Sequence, residues 1–419
     1  MLKKIKVSQL LPYMFIEEFC GSWIAHPFWR KSFTIVDPAD IEALCASSIK
    51  EVWIDTEKGR DLPDSGDSLG EADSVEDVEV RPRHANGKEA NGKETNGKEA
   101  RPASAPIAIE FENAAEIYSR SRTAVASMFS EARMGESINT EGAENMVDEI
   151  SDSIARNPHA LISLARIKTA DGYTYMHSIA VSALMIALAK QLGMNKDETQ
   201  RLGIAGLMHD LGKSLTPKDI LNKPGKLTEK EFALLQKHPG DGHRLLLDNN
   251  CDDEIVLEVA LHHHEKIEGT GYPEGLHGKD ISIFTRMGAI CDVYDAITSN
   301  RPYKPGWDPA ESLHKMAKWS KGHLDQKLLE AFVKSLGIYP VGSLVRLKFG
   351  GIAVVVEQAE DSLLRPRVKV FYSTKTHKRI IPEIVDLSNE NCSDEIVSRE
   401  NPSRWNFPDL NELWVDQAA

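Results

Sequence analysis

From residue 107 to about 340 the apolar and polar positions read as helical throughout. The longest apolar run, Ile179 to Ala189, is interrupted only by Ser182, so it predicts a helix buried on every side. Asn195 with Glu198 opens an apolar series that ends at Leu211-Gly212, the pattern of a capped helix. Thr228 with Glu231 repeats it ahead of Phe232, Leu234 and Leu235. Gly337 to Pro340 breaks the helical pattern, and beyond it Leu344–Leu347, Ile352–Val356 and Val368–Tyr372 predict short strands between polar turns. At the other end, Val52-Trp53-Ile54 reads as a strand, with Phe28, Trp29, Phe33 and Ile35 as a modest core.

Between these regions the pattern stops. Asp61 to Val80 holds eight acidic residues and no basic one. Three tandem pentads follow, from Asn86 to Ala100, each opening Asn-Gly-Lys-Glu. So polar a repeat cannot bury enough apolar surface to offset chain entropy, which predicts a flexible linker. The expected organisation is an accessory α/β domain over 1–60, a linker over 61–106, a helical domain over 107–340 and a β-rich tail over 341–419. The fold class is mainly α.

Composition narrows the chemistry. A net charge of -14 argues against long nucleic acid held on a broad basic face, but leaves room for a small anion gripped by a few local cations. Five scattered cysteines without a Cys-x-x-Cys pair suggest a reducing compartment and no disulfide framework. No stretch reaches the ~18 apolar residues of a membrane span. Pro12, Glu17 and Glu18 interrupt any signal-peptide core after Lys3, Lys4 and Lys6, so the expected location is the cytoplasm.

His177, His209-Asp210, His238, His263-His264 and Asp292 change the picture most. A carboxylate beside an imidazole, with further imidazoles on separate segments, is a donor set for two cations. An Asp can bridge through its two oxygens, and a neutral imidazole offers one lone pair. Singly, each histidine reads as packing or surface, and His26, His84, His159, His243, His277, His314, His323 and His377 keep that reading. The others fall in or beside the most apolar helical segments. Burying so many ionisable groups is costly unless a cation satisfies them.

His177-Ser178, His209-Asp210-Leu211-Gly212-Lys213, His238-Pro239, His263-His264-Glu265-Lys266, Gly271-Tyr272-Pro273 and Asp292-Val293-Tyr294-Asp295-Ala296 occur here in order. Thr298-Ser299 and Arg301-Pro302-Tyr303-Lys304 follow. Residues 165 to 335 thereby resemble the HD-GYP family, a bacterial branch of the HD-domain metal phosphohydrolases with a helical bundle fold. Trp53 to Gly59 is similar to a domain of unknown function found ahead of such domains. The resemblance implies hydrolysis of cyclic di-GMP to a linear dinucleotide or GMP, with two divalent ions, iron or manganese.

One ion would sit on His177, His209, Asp210 and Asp292, and the second on His238, His263 and His264, with Asp210 bridging. His262 reads as a neighbour of that pair. Two cations ~3.5–4 Å apart would activate a water for in-line attack and stabilise charge on the phosphoryl oxygens. Lys213, three residues after Asp210, would face the scissile phosphate if the helix continued that far. Arg301 and Lys304 match phosphate-contacting positions, and Gly271, Tyr272 and Pro273 would shape the pocket lip or a partner surface.

The chain departs from the family pattern at three places. Tyr173 stands where some members have a glutamate for a third metal, so the expected site has two ions and the expected product is mainly the linear dinucleotide. Glu268 replaces an aspartate and Ile267 a tryptophan. Two other functions compete with this one: a phosphodiesterase for another cyclic dinucleotide such as cyclic GMP-AMP, and a slow receptor or partner-binding module. The N-terminal region and linker could serve a protein partner, a diguanylate cyclase for example. The oligomeric state is not legible.

Overall fold

The computed structural model describes residues 2–20, 33–35, 41, 44–45, 50–60, 107–137, 140–166, 173–299, 306–320, 322–359, 362–405 and 407–415. The acidic stretch, the pentads, Phe28, Trp29, Arg301 and Lys304 lie outside the described residues. Two compact units divide the chain, Met1–Pro102 and Ala103–Ala419.

In the first unit, β1 (Leu2–Lys6), β2 (Phe15–Cys20), β3 (Phe33–Thr34) and β4 (Glu51–Asp55) form an antiparallel sheet ordered β1-β4-β2-β3. Side chains alternate across a strand, so Val52 and Ile54 of interior β4 turn inward to share a core with Ile5, Met14, Ile16 and Ile35. The strand expected at Val52–Ile54 is therefore the middle of the sheet.

The second unit is a helical bundle with a sheet built into it. Its helices are α1 (Ile107–Met134), α2 (Thr140–Arg156), α3 (Pro158–Ala165), α4 (Tyr173–Gln191), α5 (Lys196–Met208), α6 (Lys218–Leu221), α7 (Glu229–Leu235), α8 (His238–Asp248), α9 (Glu254–His262), α10 (Ile283–Thr298), α11 (Pro309–Trp319) and α12 (Gln326–Leu336). Every residue of α4 from Met176 to Ala189 is buried. Such a helix has no face to show to water, and α1, α2, α3, α5, α10 and α12 all pack on it. Both expected capping boxes are present, Asn195 with Glu198 on α5 and Thr228 with Glu231 on α7. Helix α5 stops at Met208, short of the expected Leu211-Gly212, and a tight 3-10 turn over Leu211–Leu215 follows.

Strands β5 (Leu344–Leu347), β6 (Gly351–Glu357), β7 (Arg367–Ser373), β8 (Lys378–Asp386) and β9 (Ile396–Arg399) form an antiparallel sheet ordered β8-β7-β6-β5-β9, followed by α13 (Pro402–Trp405) and α14 (Leu410–Val415). This region is integral to the helical unit. On β6, Ile352, Val354 and Val356 enter the main helical core, while Ala353 and Val355 cover a second cluster with Val345, Leu347, Val368 and Leu387. Trp414 of α14 is 1% exposed and lies against Phe111 of α1, ring centroids 6.0 Å apart.

Candidate metal centre

The seven histidines and aspartates expected as ligands meet at one place, brought there by five helices and their ends. His177 sits in the first turns of α4, and Asp292 is on α10 beside it. His209 ends α5 and Asp210 opens the 3-10 turn. His238 is the first residue of α8, and His263 caps the C-terminal end of α9 ahead of His264. Close backbone contact holds two of these ends together. A Cβ on Gly212 would lie 2.0 Å from the His238 carbonyl oxygen and 2.4 Å from the Gly242 nitrogen, so only glycine fits there.

The two oxygens of Asp210 face different partners. Oδ2 lies 3.5 Å from His177 Nε2 and 3.4 Å from His209 Nε2. Oδ1 lies 3.3 Å from His238 Nε2 and 3.7 Å from His263 Nε2. Asp292 completes the first set, its Oδ1 2.9 Å from His177 Nε2, and its Oδ2 is 3.8 Å from His264 Nδ1. Donor atoms of His238, His263 and His264 lie within 4.8 Å of one another, as do those of His177, His209 and Asp292.

Outer hydrogen bonds fix which ring nitrogen faces inward. Nδ1 of His209 donates to the Gly206 carbonyl at 2.8 Å, and Nδ1 of His238 to the Leu235 carbonyl at 2.7 Å. His263 Nδ1 donates to the Val259 and Ala260 carbonyls at 3.0 and 3.1 Å. Carbonyls only accept, so each Nδ1 carries the proton and each neutral Nε2 points a lone pair inward. The Nε2 atoms of His238 and His263 then face each other 3.2 Å apart, an arrangement that needs a positive charge between them. Among the described residues, His209 Nε2 and Asp210 Oδ1 are buried without a hydrogen-bond partner. Orphaned acceptors turned toward a common point are what a cation would satisfy.

Protonation follows the same logic. Burial opposes charge on Asp210, but Lys213 beside it holds its carboxyl well below the usual range. Burial likewise opposes charge on Asp292, which His177 keeps well below that range. Burial pushes His238 down to about 4 and lowers His209 and His264. The pocket thus offers ionised carboxylates and neutral imidazoles, the forms that ligate metals. His177 differs, since Asp292 and Asp295 outweigh burial and raise it.

Lys213 reaches back from the 3-10 turn to Asp210 Oδ2, and its side chain stays one-fifth exposed. The i, i+3 spacing works here through the tight turn, with no continuing α-helix. Gly271 is pressed so close to the chain at Glu265 that a Cβ would lie 2.4 Å from Glu265 Cα and 2.5 Å from the Lys266 nitrogen. Tyr272 covers His264, ring centroids 4.8 Å apart, and a cis peptide joins it to Pro273. His262 turns away to Glu274, 3.3 Å distant. Tyr173 stacks on His177 one helical turn ahead, at 6.0 Å and 8°. Glu268 accepts from Thr270 Oγ1 at 2.7 Å and pairs with His323 at 3.3 Å.

Two buried carboxylates at this site escaped sequence reasoning. Asp295 Oδ2 lies 2.6 Å from His177 Nδ1, and Ser299 Oγ donates to its other oxygen at 3.2 Å. Its three-residue spacing from Asp292, which places both on one helical face, was the available signal. The Glu265 carboxylate accepts the backbone N–H groups of Glu274, Gly275 and Leu276. Its place directly after the histidine pair gave no hint of that role.

Comparison with known proteins identifies the domains and relatives of the chain. The HD domain matches residues 149–328, and a domain of unknown function, DUF3391, matches residues 2–143, past the expected linker and into α2. The cyclic di-GMP phosphodiesterase PA4108 of Pseudomonas aeruginosa is 49% identical over 421 residues, spanning 100% of this chain and 97% of its own. The 3'3'-cGAMP-specific phosphodiesterase 1 of Vibrio cholerae is 40% identical over 39% of this chain and 38% of its own length. The cyclic di-GMP phosphodiesterase response regulator RpfG of Xanthomonas campestris is 37% identical over 39% of this chain and 44% of its own. HD-domain phosphohydrolases are metal-dependent enzymes, and this chain holds the His and Asp groups to bind metal. On motif order, fold and full-length likeness together, the chain belongs to the HD-GYP family of HD-domain phosphohydrolases and carries a DUF3391 domain.

Proposed function

We propose that this protein hydrolyses cyclic di-GMP to the linear dinucleotide pGpG at a site for two divalent cations, iron or manganese. The observation that carries the proposal is the division of Asp210, one oxygen toward His177 and His209 and the other toward His238 and His263. In this reading His177, His209, Asp210 and Asp292 would hold one ion and His238, His263 and His264 the other, with one oxygen of Asp210 available to each side. Bound cations supply Lewis acidity, which activates water and draws charge from the phosphoryl oxygens. Ligand softness does not separate iron from manganese in a His/Asp set.

The chain's own groups do the rest. One water adds across one P–O3′ bond, leaving a 5′-phosphate and a free 3′-hydroxyl. Lys213, ion-paired with Asp210 and partly exposed, supplies positive charge to the scissile phosphate. Arg301 and Lys304 are proposed to hold the second, non-scissile phosphate. Tyr272, seated on His264, fixes the orientation of a ring that would hold the second ion. Tyr173 puts an aromatic ring where a further carboxylate would be needed for a third ion, which supports stopping at pGpG.

The test is hydrolysis of cyclic di-GMP by reductively purified protein loaded with iron or manganese, beside Asp210→Ala, with products separated by chromatography. Turnover that falls at least ~10²–10³-fold in the variant, the scale of removing one group that stabilises transition-state charge, supports the proposal. pGpG should accumulate, and rapid full conversion to GMP would refute the single-step outcome. Retained ligand binding without turnover would favour a receptor. Faster hydrolysis of cyclic GMP-AMP in direct competition would reassign the substrate.

A further inference from the structure

Among the inward-facing histidines, His177 is gripped unlike the rest. Its Nε2 lies 2.9 Å from Asp292 Oδ1 and its Nδ1 lies 2.6 Å from Asp295 Oδ2, two carboxylates one turn apart on α10. His209, His238 and His263 instead donate Nδ1–H to neutral backbone carbonyls. Asp295 is 2% exposed and is itself oriented by Ser299. A carboxylate behind a ligating imidazole fixes its tautomer and ring angle and makes its free nitrogen a stronger donor than a carbonyl does.

The two halves of the cluster also differ in charge. The half around His177 has Asp292 Oδ1 at 2.9 Å, shares Asp210 and is backed by Asp295. Among the described residues, the half around His238, His263 and His264 has the shared oxygen of Asp210, while Asp292 Oδ2 stands off at 3.8 Å from His264. Resting on the two-ion reading of the site, we propose that Asp295 is a positioning residue for His177. It makes the ion held by His177, His209, Asp210 and Asp292 bind more tightly than its neighbour. The half formed by His238, His263 and His264 fills last and empties first, so it gates activity when metal is scarce.

The experiment is a Mn²⁺ titration of metal-free full-length protein against a chromophoric chelator, with bound manganese counted by mass spectrometry. Wild type should take up two ions in two resolved steps. His264→Ala should weaken the later step and leave the first. Asp295→Asn keeps side-chain size but loses the charge, and should weaken the first step about 10–100-fold. Asp295→Glu should restore part of that loss. Asp295→Asn should also melt close to wild type. Two equal steps in wild type, a first step unmoved by Asp295→Asn, or both steps weakened together with a lowered melting temperature would overturn the proposal. Two ions bound in the expected order without cyclic di-GMP hydrolysis would sink the functional proposal and leave this one standing.

Discussion

Three backbone N–H groups, of Glu274, Gly275 and Leu276, converge on the buried carboxylate of Glu265 at 2.8, 2.9 and 3.1 Å. With Gly271 pressed on the same stretch of chain, they fasten the loop that lays Tyr272 on His264. Glu265→Gln keeps one acceptor oxygen and sets an amide NH2 against donors, which costs about 1–3 kcal/mol locally. Amide hydrogen exchange at residues 274–276 should then speed up about ten- to hundredfold, while the melting temperature stays near wild type. Unchanged exchange would mean that the loop is held by something else. The clustered histidines and aspartates proposed as ligands were legible in the sequence because they recur against apolar runs that leave them no water. Glu265 was illegible because its partners are backbone groups, which no side-chain pattern reports.

Helices α5 and α7 begin where their capping boxes placed them, since a cap is a local contract between residues three apart. Their ends were less legible: α5 gives way to a 3-10 turn as His209 and Asp210 turn into the cluster, a tertiary demand. On α7, Lys223, then the backbone and hydroxyl of Thr228, hold Glu231 down to about 2, against an ordinary value of 4.5. A depressed carboxylate contributes stability that is full above 4.5 and is lost as pH falls through 2. Glu231→Gln should therefore lower the melting temperature at neutral pH, with the gap to wild type closing as pH falls from 4.5 to 2. A gap that stays open at the acid end would show that the cap, not the charge, is responsible. Phosphate contact by Arg301 and Lys304 stays at the level of sequence resemblance, because both lie outside the described residues.

Across the whole molecule, the strands beyond residue 341 were legible as strands, but not as part of the helical core. Alternation along β6 shows which residues turn together, and it cannot show that one face meets α-helices and the other a second sheet cluster. Trp414 marks the consequence most sharply, with its ring on Phe111 and on the Arg166 guanidinium 5.8 Å away. Trp414→Ala should cost about 3–5 kcal/mol, the range for a buried aromatic cut to alanine. The helical circular-dichroism signal should unfold at lower urea, together with the sheet. A helical midpoint that does not move would mean that the C-terminal region folds as a separate unit.

That same contact orders events in time. Helix α12 ends at Leu336, and Trp414 is made 78 residues later. At about 5–20 residues per second, a growing chain holds every bundle helix for roughly 4–16 s before the ring that seals α1 against β6 has been synthesised. Through that interval the main apolar core stands open along one seam. A ribosome stalled there would display a nearly complete enzyme with an adhesive flank, which is the state a trigger-type chaperone would meet.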